Sequence, residues 1–142
     1  MPDLIHSIRI AASPDAVYRL VSTAAGFAEW WAADVTGKDG LVDLGFFHRQ
    51  TVYRLRMQNS DPPHRAEWLC ETGQEWATTH LVFQLEPAGG GTLLRFAHAG
   101  WSSPTDYFVS CNTTWGGLMF RLRAAAEGKS PGPLFPPEGL AY

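Results

Sequence analysis

Five histidines are the residues of this sequence with the most chemistry to offer, yet their spacing withholds most of it. His6, His48, His64, His80 and His98 fall in different segments without HxH, HExxH or paired Cys/His spacing, so neither a zinc site nor a metalloprotease helix is encoded. No metal and no cofactor is expected. Cys70 and Cys111 stand far apart without CxxC spacing and read as buried thiols. A disulfide between them stays open, because pairing depends on the distance between two Cα atoms. No GxSxG elbow surrounds a serine, and Ser110 falls within a helical stretch rather than on a sharp turn. Gly89-Gly90-Gly91-Thr92 lacks the lysine and the following helix of a phosphate loop, and reads as a hairpin tip. What remains is acid/base or orienting chemistry. His48, His98, Tyr53 and Tyr107 are the pocket-facing candidates, and an imidazole among Leu and Phe needs a partner. Each histidine is either satisfied within the core or orients a ligand. None of the four has a carboxylate partner in the sequence pattern, so enzymatic activity is left open and no catalytic residue is assigned.

The elements that must position these side chains follow from periodicity. Over residues 4–11, Leu4, His6, Ile8 and Ile10 share one parity, which predicts a first strand. Ser13-Pro14-Asp15 supplies a capping hydroxyl, a first-turn proline and a first-turn acid. Two short helices follow, the first with Val17, Leu20 and Val21, the second with Phe27, Trp30 and Trp31, with a break expected around Gly26. Residues 33–40 predict a short edge strand and a turn. From Asp43 the period becomes two: Leu44, Phe46 and His48 face inward, then Tyr53, Leu55 and Met57, then Ala66, Trp68 and Cys70. A hairpin closes the series, with Leu81, Phe83 and Leu85 on a strand over 76–86 and Leu94, Phe96 and His98 on its return. Residues 106–128 carry Phe108, Cys111, Trp115, Leu118, Met119 and Leu122 at three/four spacing, which predicts one long helix. Gly116-Gly117 within it costs about 1 kcal/mol per glycine, and suggests close approach to a neighbour or a bend. The division expected is a domain over 1–128 and a proline-rich tail over 129–142, extended or partly disordered.

Composition sets the class. The chain has 142 residues, room for one domain, with 45% apolar, 18% charged and 13% aromatic residues, including six Trp and eight Phe. Aromatics rather than charges are enriched, against about 25% charged residues in an average globular domain. The net charge of −3, without any Lys/Arg block, argues against nucleic acid as a partner. No apolar run reaches the roughly 18–20 residues of a membrane span, and no charged, then apolar leader is seen at the N-terminus, so a cytoplasmic location is expected.

A strongly curved sheet cannot lie flush against one straight helix, so space is left unless large side chains fill it. Trp31, Phe46, Tyr53, Trp68, Phe83, Phe96, Phe108 and Trp115 either line that space or plug it. With His48, His98 and Cys111 they form the expected ligand-binding set. The leading expectation is binding of a small apolar or amphipathic molecule.

The run Ile8-Arg9-Ile10-Ala11-Ala12-Ser13-Pro14-Asp15-Ala16-Val17-Tyr18, then Trp30-Trp31, then Gly91-Thr92-Leu93-Leu94-Arg95-Phe96-Ala97-His98-Ala99-Gly100, and the helix around Trp115 carry a resemblance. In this order they resemble the helix-grip fold of the START-related and birch-pollen-allergen superfamily, SRPBCC. Within it, the chain is similar to the branch of the activator of heat-shock ATPase homologues. The resemblance implies an α+β helix-grip fold: a curved antiparallel sheet around a long C-terminal helix, with two short helices after strand one. It also implies three functional classes, namely binding of a small apolar molecule, a polyketide cyclase-like enzyme, or a co-chaperone and regulatory interaction module. The chaperone-activating members carry a further N-terminal domain that 142 residues leave no room for, so a chaperone partner is unsupported. A homodimer through exposed Phe47 or through Leu134 and Phe135 of the tail is a further speculation.

Overall fold

The period-two runs pair into one antiparallel sheet, described with the rest of residues 2–140 by a computed structural model. Strand β1 (Leu4–Ile10) leads into helices α1 (Pro14–Val21) and α2 (Ala24–Ala28). The meander β2 (Asp34–Lys38), β3 (Leu41–Phe46), β4 (Thr51–Asp61), β5 (Arg65–Cys70), β6 (His80–Ala88) and β7 (Gly91–Ala99) follows, and α3 (Asp106–Ala126) ends the regular structure. Spatial order is β1-β7-β6-β5-β4-β3-β2, every neighbouring pair antiparallel. This is the α+β helix-grip architecture. Side chains of one parity, such as Leu55, Trp68, Phe83 and Phe96, are buried beneath the helices. The opposite face carries cross-strand ion pairs, among them Arg54 with Asp43 at 2.8 Å and Arg56 with Glu71 at 2.5 Å. Their guanidinium groups are about half exposed, so solvent screens these pairs and they add little to stability.

The start of α1 is capped as the sequence predicts, and α3 is capped likewise. Ser13 Oγ accepts from Ala16 N at 3.2 Å, and Thr105 Oγ1 accepts from Phe108 N at 3.2 Å at the start of α3. The break between α1 and α2 falls at Ser22-Thr23 rather than at Gly26. Gly26 lies inside α2 because a Cβ there would come within 2.3 Å of the Arg19 carbonyl oxygen and 2.8 Å of the Leu20 Cα. That glycine lets two short helices touch backbone to backbone. Gly116 and Gly117 do nothing comparable: Gly117 meets open space, and Gly116 only the His6 ring at 3.8 Å. The expected close approach at these two positions is therefore not found.

Two strand boundaries differ from the alternation pattern, and both matter for the site. β3 ends at Phe46, because Phe47, His48 and Arg49 all take positive φ in the turn to β4. β6 starts at His80 rather than at Trp76; Gly73 and Thr78, at φ 105° and 73°, fold the preceding stretch into a loop. Periodicity alone does not register such left-handed backbone, which non-glycine residues adopt only sparingly.

Residues 129–140 run back across the molecule. The Arg121 guanidinium holds the carbonyls of Pro131, Gly132 and Pro133 at 3.0–3.3 Å. Leu134 N and Phe135 N then donate to the carbonyls of Trp30 and Trp31, and Ala33 N donates to Phe135 O. Further on, His48 N donates to Pro137 O at 2.9 Å, and Gly139 packs flat on the Phe47 ring, where a Cβ would come within 2.5 Å. The segment is strapped to the β3–β4 turn by its backbone.

Candidate functional site

Three elements leave a gap where the strap crosses: the β3–β4 hairpin end, the N-terminal half of α3, and the loop before β6. The gap is a pocket of ≈ 470 Å³, within the roughly 300–1,000 Å³ of small-molecule sites. β3 and β4 contribute Phe46 and Tyr53, with Phe47 and Thr51 at the turn. Successive inner turns of α3 contribute Tyr107, Cys111, Thr114, Trp115 and Leu118. Trp31, Trp76, and Phe135 and Leu140 of the strap complete the wall. Among the described residues lining it, none carries a charge.

Aromatic faces dominate. Trp76 stacks on Tyr53 with centroids 4.4 Å apart and planes 9° from parallel, and lies nearly parallel to Trp115 at 6.2 Å. Trp31 leans on Trp115 at 4.9 Å, and Phe135 meets Phe46 edge-on at 5.0 Å. Such offset and edge-to-face pairs each contribute about 0.5–1.5 kcal/mol beyond the area they bury. The wall is therefore stiff.

Polar groups gather at one end. The Tyr53 and Tyr107 hydroxyls share a hydrogen bond of 2.5 Å. Thr105, the α3 cap, donates its hydroxyl to Glu75 Oε1 at 2.5 Å, which ties the helix start to the loop that carries Trp76. Burial pushes the Tyr107 phenol and the Cys111 thiol above their ordinary pKa values, so both keep their protons. No acceptor completes a hydrogen bond to Trp76 Nε1, although that residue is only 5% exposed.

Of the eleven residues expected to bind a ligand, the structure gathers Trp31, Phe46, Tyr53, Cys111 and Trp115 around this pocket. Trp68 and Phe83 lie deeper, packed with Phe27 of α2, and Phe96 lies between Phe83 and the Trp115 ring. Phe108 turns the other way on α3 and meets Trp101 edge-on at 5.2 Å. His48, expected inside, is exposed: β3 has already ended, and the left-handed turn takes the side chain out of the alternation.

His98 is buried, as expected, but in the core behind the wall. Trp115 Nε1 donates to its Nδ1 at 3.1 Å, which leaves the ring proton on Nε2, 2.8 Å from Thr79 Oγ1. Thr79 in turn donates to the Trp76 carbonyl at 2.5 Å. Both nitrogens are engaged, and burial lowers the pKa to about 3, so the ring stays neutral. His98 thus positions two pocket walls, Trp115 directly and the Trp76 backbone through Thr79. Cys70 is likewise buried, its pKa pushed up to about 12, and both cysteines are free thiols.

The sequence pattern did not assign Phe47, Thr51, Trp76, Thr114, Leu118, Phe135 and Leu140 to the ligand set. Tyr107 was legible only as an acid/base candidate, and Leu118 only as part of the helix stripe. For the strap residues no periodic signal exists, since their placement depends on backbone bonds to distant loops. Among the described residues no group of three or more His, Cys, Asp or Glu comes together, and no helix is long and apolar enough to cross a membrane.

Comparison with known proteins agrees with this architecture. Residues 11–127 match the family described as Activator of Hsp90 ATPase homolog 1-like protein. The chain is similar to the solution structure of the Aha1 dimer from Colwellia psychrerythraea, at 28% identity over 91% of this chain and 98% of that one, with a TM-score of 0.79. CalU16 from Micromonospora echinospora is 21% identical over 93% of this chain and 69% of its own, with a TM-score of 0.74. A protein from Mesorhizobium loti is 14% identical over 89% and 97%, with a TM-score of 0.75. The last two likenesses show the fold alone. No curated protein matches the sequence.

Proposed function

Because this chain belongs to the Activator of Hsp90 ATPase homolog 1-like family, a branch of the SRPBCC superfamily, we propose that it binds a small apolar or amphipathic molecule between the sheet and α3. The observation that carries this reading is the uncharged, aromatic-walled pocket of ≈ 470 Å³ at Tyr53, Trp76 and Trp115. Burying apolar ligand surface there is favourable by about 25 cal/mol per Å². The wall is already ordered by ring contacts, so little ordering entropy opposes binding. Catalysis fits these groups less well. His98 has both nitrogens engaged, and Tyr107 is held protonated by burial, so neither is placed as a general base.

The test is binding of the neutral fluorescent probe N-phenyl-1-naphthylamine. We expect one saturable site, with fluorescence enhancement lost in Thr114→Trp, whose indole fills the pocket from α3. No enhancement, or equal enhancement in Thr114→Trp, contradicts the reading. Self-association is a second proposal, favoured by the dimer of the Colwellia protein and by exposed Ile5, Val109 and Phe120. Light scattering tests it, and a monomer mass at micromolar concentration opposes it.

A further inference from the structure

α3 buries Cys111, Trp115, Leu118, Met119 and Leu122 along its inner side. A second stripe runs along its outer flank: Asp106, Val109, Thr113, Gly116, Phe120 and Arg123, at steps of three and four residues in alternation. That spacing is the one by which two helices pack side by side along a seam. Val109 and Phe120 are 58% and 60% exposed. Between them Thr113 is exposed, and a Cβ on Gly116 would meet only the His6 ring, at 3.8 Å. Glycine inside a helix is unfavourable relative to alanine, and no close approach within the chain accounts for it here. A small residue at the middle of a seam lets a second backbone come near.

Opposite charges stand at the two ends of the stripe. Among the described residues neither Asp106 nor Arg123 forms an ion pair. Arg123 lies over the Phe120 ring at 4.9 Å, and Glu127, one turn further on, has its oxygens on Ala11 N and Lys129. The stripe thus runs acid, apolar, small, small, apolar, base, and complements its own reverse.

We infer that a second copy of this chain docks on this flank, its α3 antiparallel to the first. The inference rests on the self-association reading above and names the surface. With the twofold axis between Thr113 and Gly116, Val109 meets the partner's Phe120, Thr113 the partner's Gly116, and Asp106 the partner's Arg123. Each contact occurs twice, as in an isologous interface. A parallel pair would set Asp106 against Asp106 and Arg123 against Arg123, so charge selects the antiparallel one. The seam leaves the pocket side of α3, with Tyr107, Thr114 and Leu118, uncovered.

Sedimentation equilibrium on the full chain tests this at micromolar concentration. Asp106→Lys or Arg123→Glu alone sets like charges face to face twice, and is expected to weaken the dimer about tenfold. The double variant reverses the pair and is expected to recover most of that loss. Gly116→Glu brings two carboxylates to the axis and is expected to weaken the dimer about a hundredfold, with the urea midpoint of the monomer no lower than in the wild type. A monomer mass for the wild type overturns this inference and the self-association reading together. A dimer unweakened by Gly116→Glu, or a double charge variant no tighter than the single ones, overturns this inference alone and leaves association through another face.

Discussion

Beneath α2, the rings of Phe27, Trp30, Trp68 and Phe83 are fully buried against one another, with Phe96 between them and Trp115; beside the N-terminal half of α3, Trp31, Trp76, Trp115 and Tyr53 surround a gap. Both regions draw on the same aromatic residue types, but the second leaves a gap beside its rings and one indole N–H unbonded. Trp30 Nε1 donates to Leu20 O and Trp68 Nε1 to Val21 O, each at 2.9 Å, so the last two carbonyls of α1 fix both indoles in place. At the pocket, Trp115 is fixed by His98, but Trp76 has no completed bond. Trp101, packed on His98 and Tyr107 behind the polar end, also lacks an acceptor. Aromatic composition marks a core; the gap, with the unbonded Trp76 N–H beside it, marks the wall.

The largest effect should come from breaking the filled region. Trp68→Ala removes a fully buried ring and its bond to Val21, and should lower unfolding free energy by about 3–5 kcal/mol, read by urea denaturation. Probe binding by the fraction still folded should persist, since Trp68 does not line the pocket. Loss of binding at full folding would merge the two regions.

His98 lies between the regions and should make stability depend on pH. Its folded pKa, near 3, is below the ordinary value of 6.5. Between those values the unfolded chain binds a proton that the folded chain refuses, so stability is complete above pH 6.5 and declines as the pH falls. The slope should approach about 1.4 kcal/mol per pH unit near pH 5. His98→Leu should lose this slope and cost about 1–3 kcal/mol at pH 7, because it strands the buried Trp115 N–H, while Thr79 keeps its bond to the Trp76 carbonyl. Urea titrations at pH 7, 6 and 5 measure both.

Phe135→Ala, at the strap, should cost about 1–2 kcal/mol, less than a full core deletion because the site borders an open gap. It should also weaken probe binding and speed probe release, measured by stopped flow. Thr114→Trp should abolish binding while changing stability by less than about 1 kcal/mol, since the added ring enters existing space. Gly117→Ala, on the open outer face of α3, should stabilise by about 0.5–1 kcal/mol without touching binding. It serves as the control outside both regions.

Much of this architecture was legible because it follows from short-range rules. Alternation at Leu44, Leu55, Trp68, Phe83 and Phe96 marked the sheet's inner face, and Ser13-Pro14-Asp15 marked the start of α1. The inner stripe of α3 was legible from Cys111, Trp115, Leu118 and Leu122. The site was half legible for the same reason: Trp31, Phe46, Tyr53, Cys111 and Trp115 lie on regular elements or at their ends. His48 misled because a left-handed turn interrupts period two one residue before it. Trp76 and the strap residues Phe135 and Leu140 were missed because no periodicity governs loops. Their positions come from contacts as distant as His48 with Pro137 and Trp31 with Phe135.

The central claim is that the region beside α3 is a binding wall while the region beneath α2 is filled core. Following the six indole N–H resonances through a titration with N-phenyl-1-naphthylamine tests it most directly. The account predicts that Trp31, Trp76 and Trp115 move saturably while Trp30 and Trp68 stay in place. Unmoved resonances throughout, or equal shifts at Trp30 and Trp68, would contradict it.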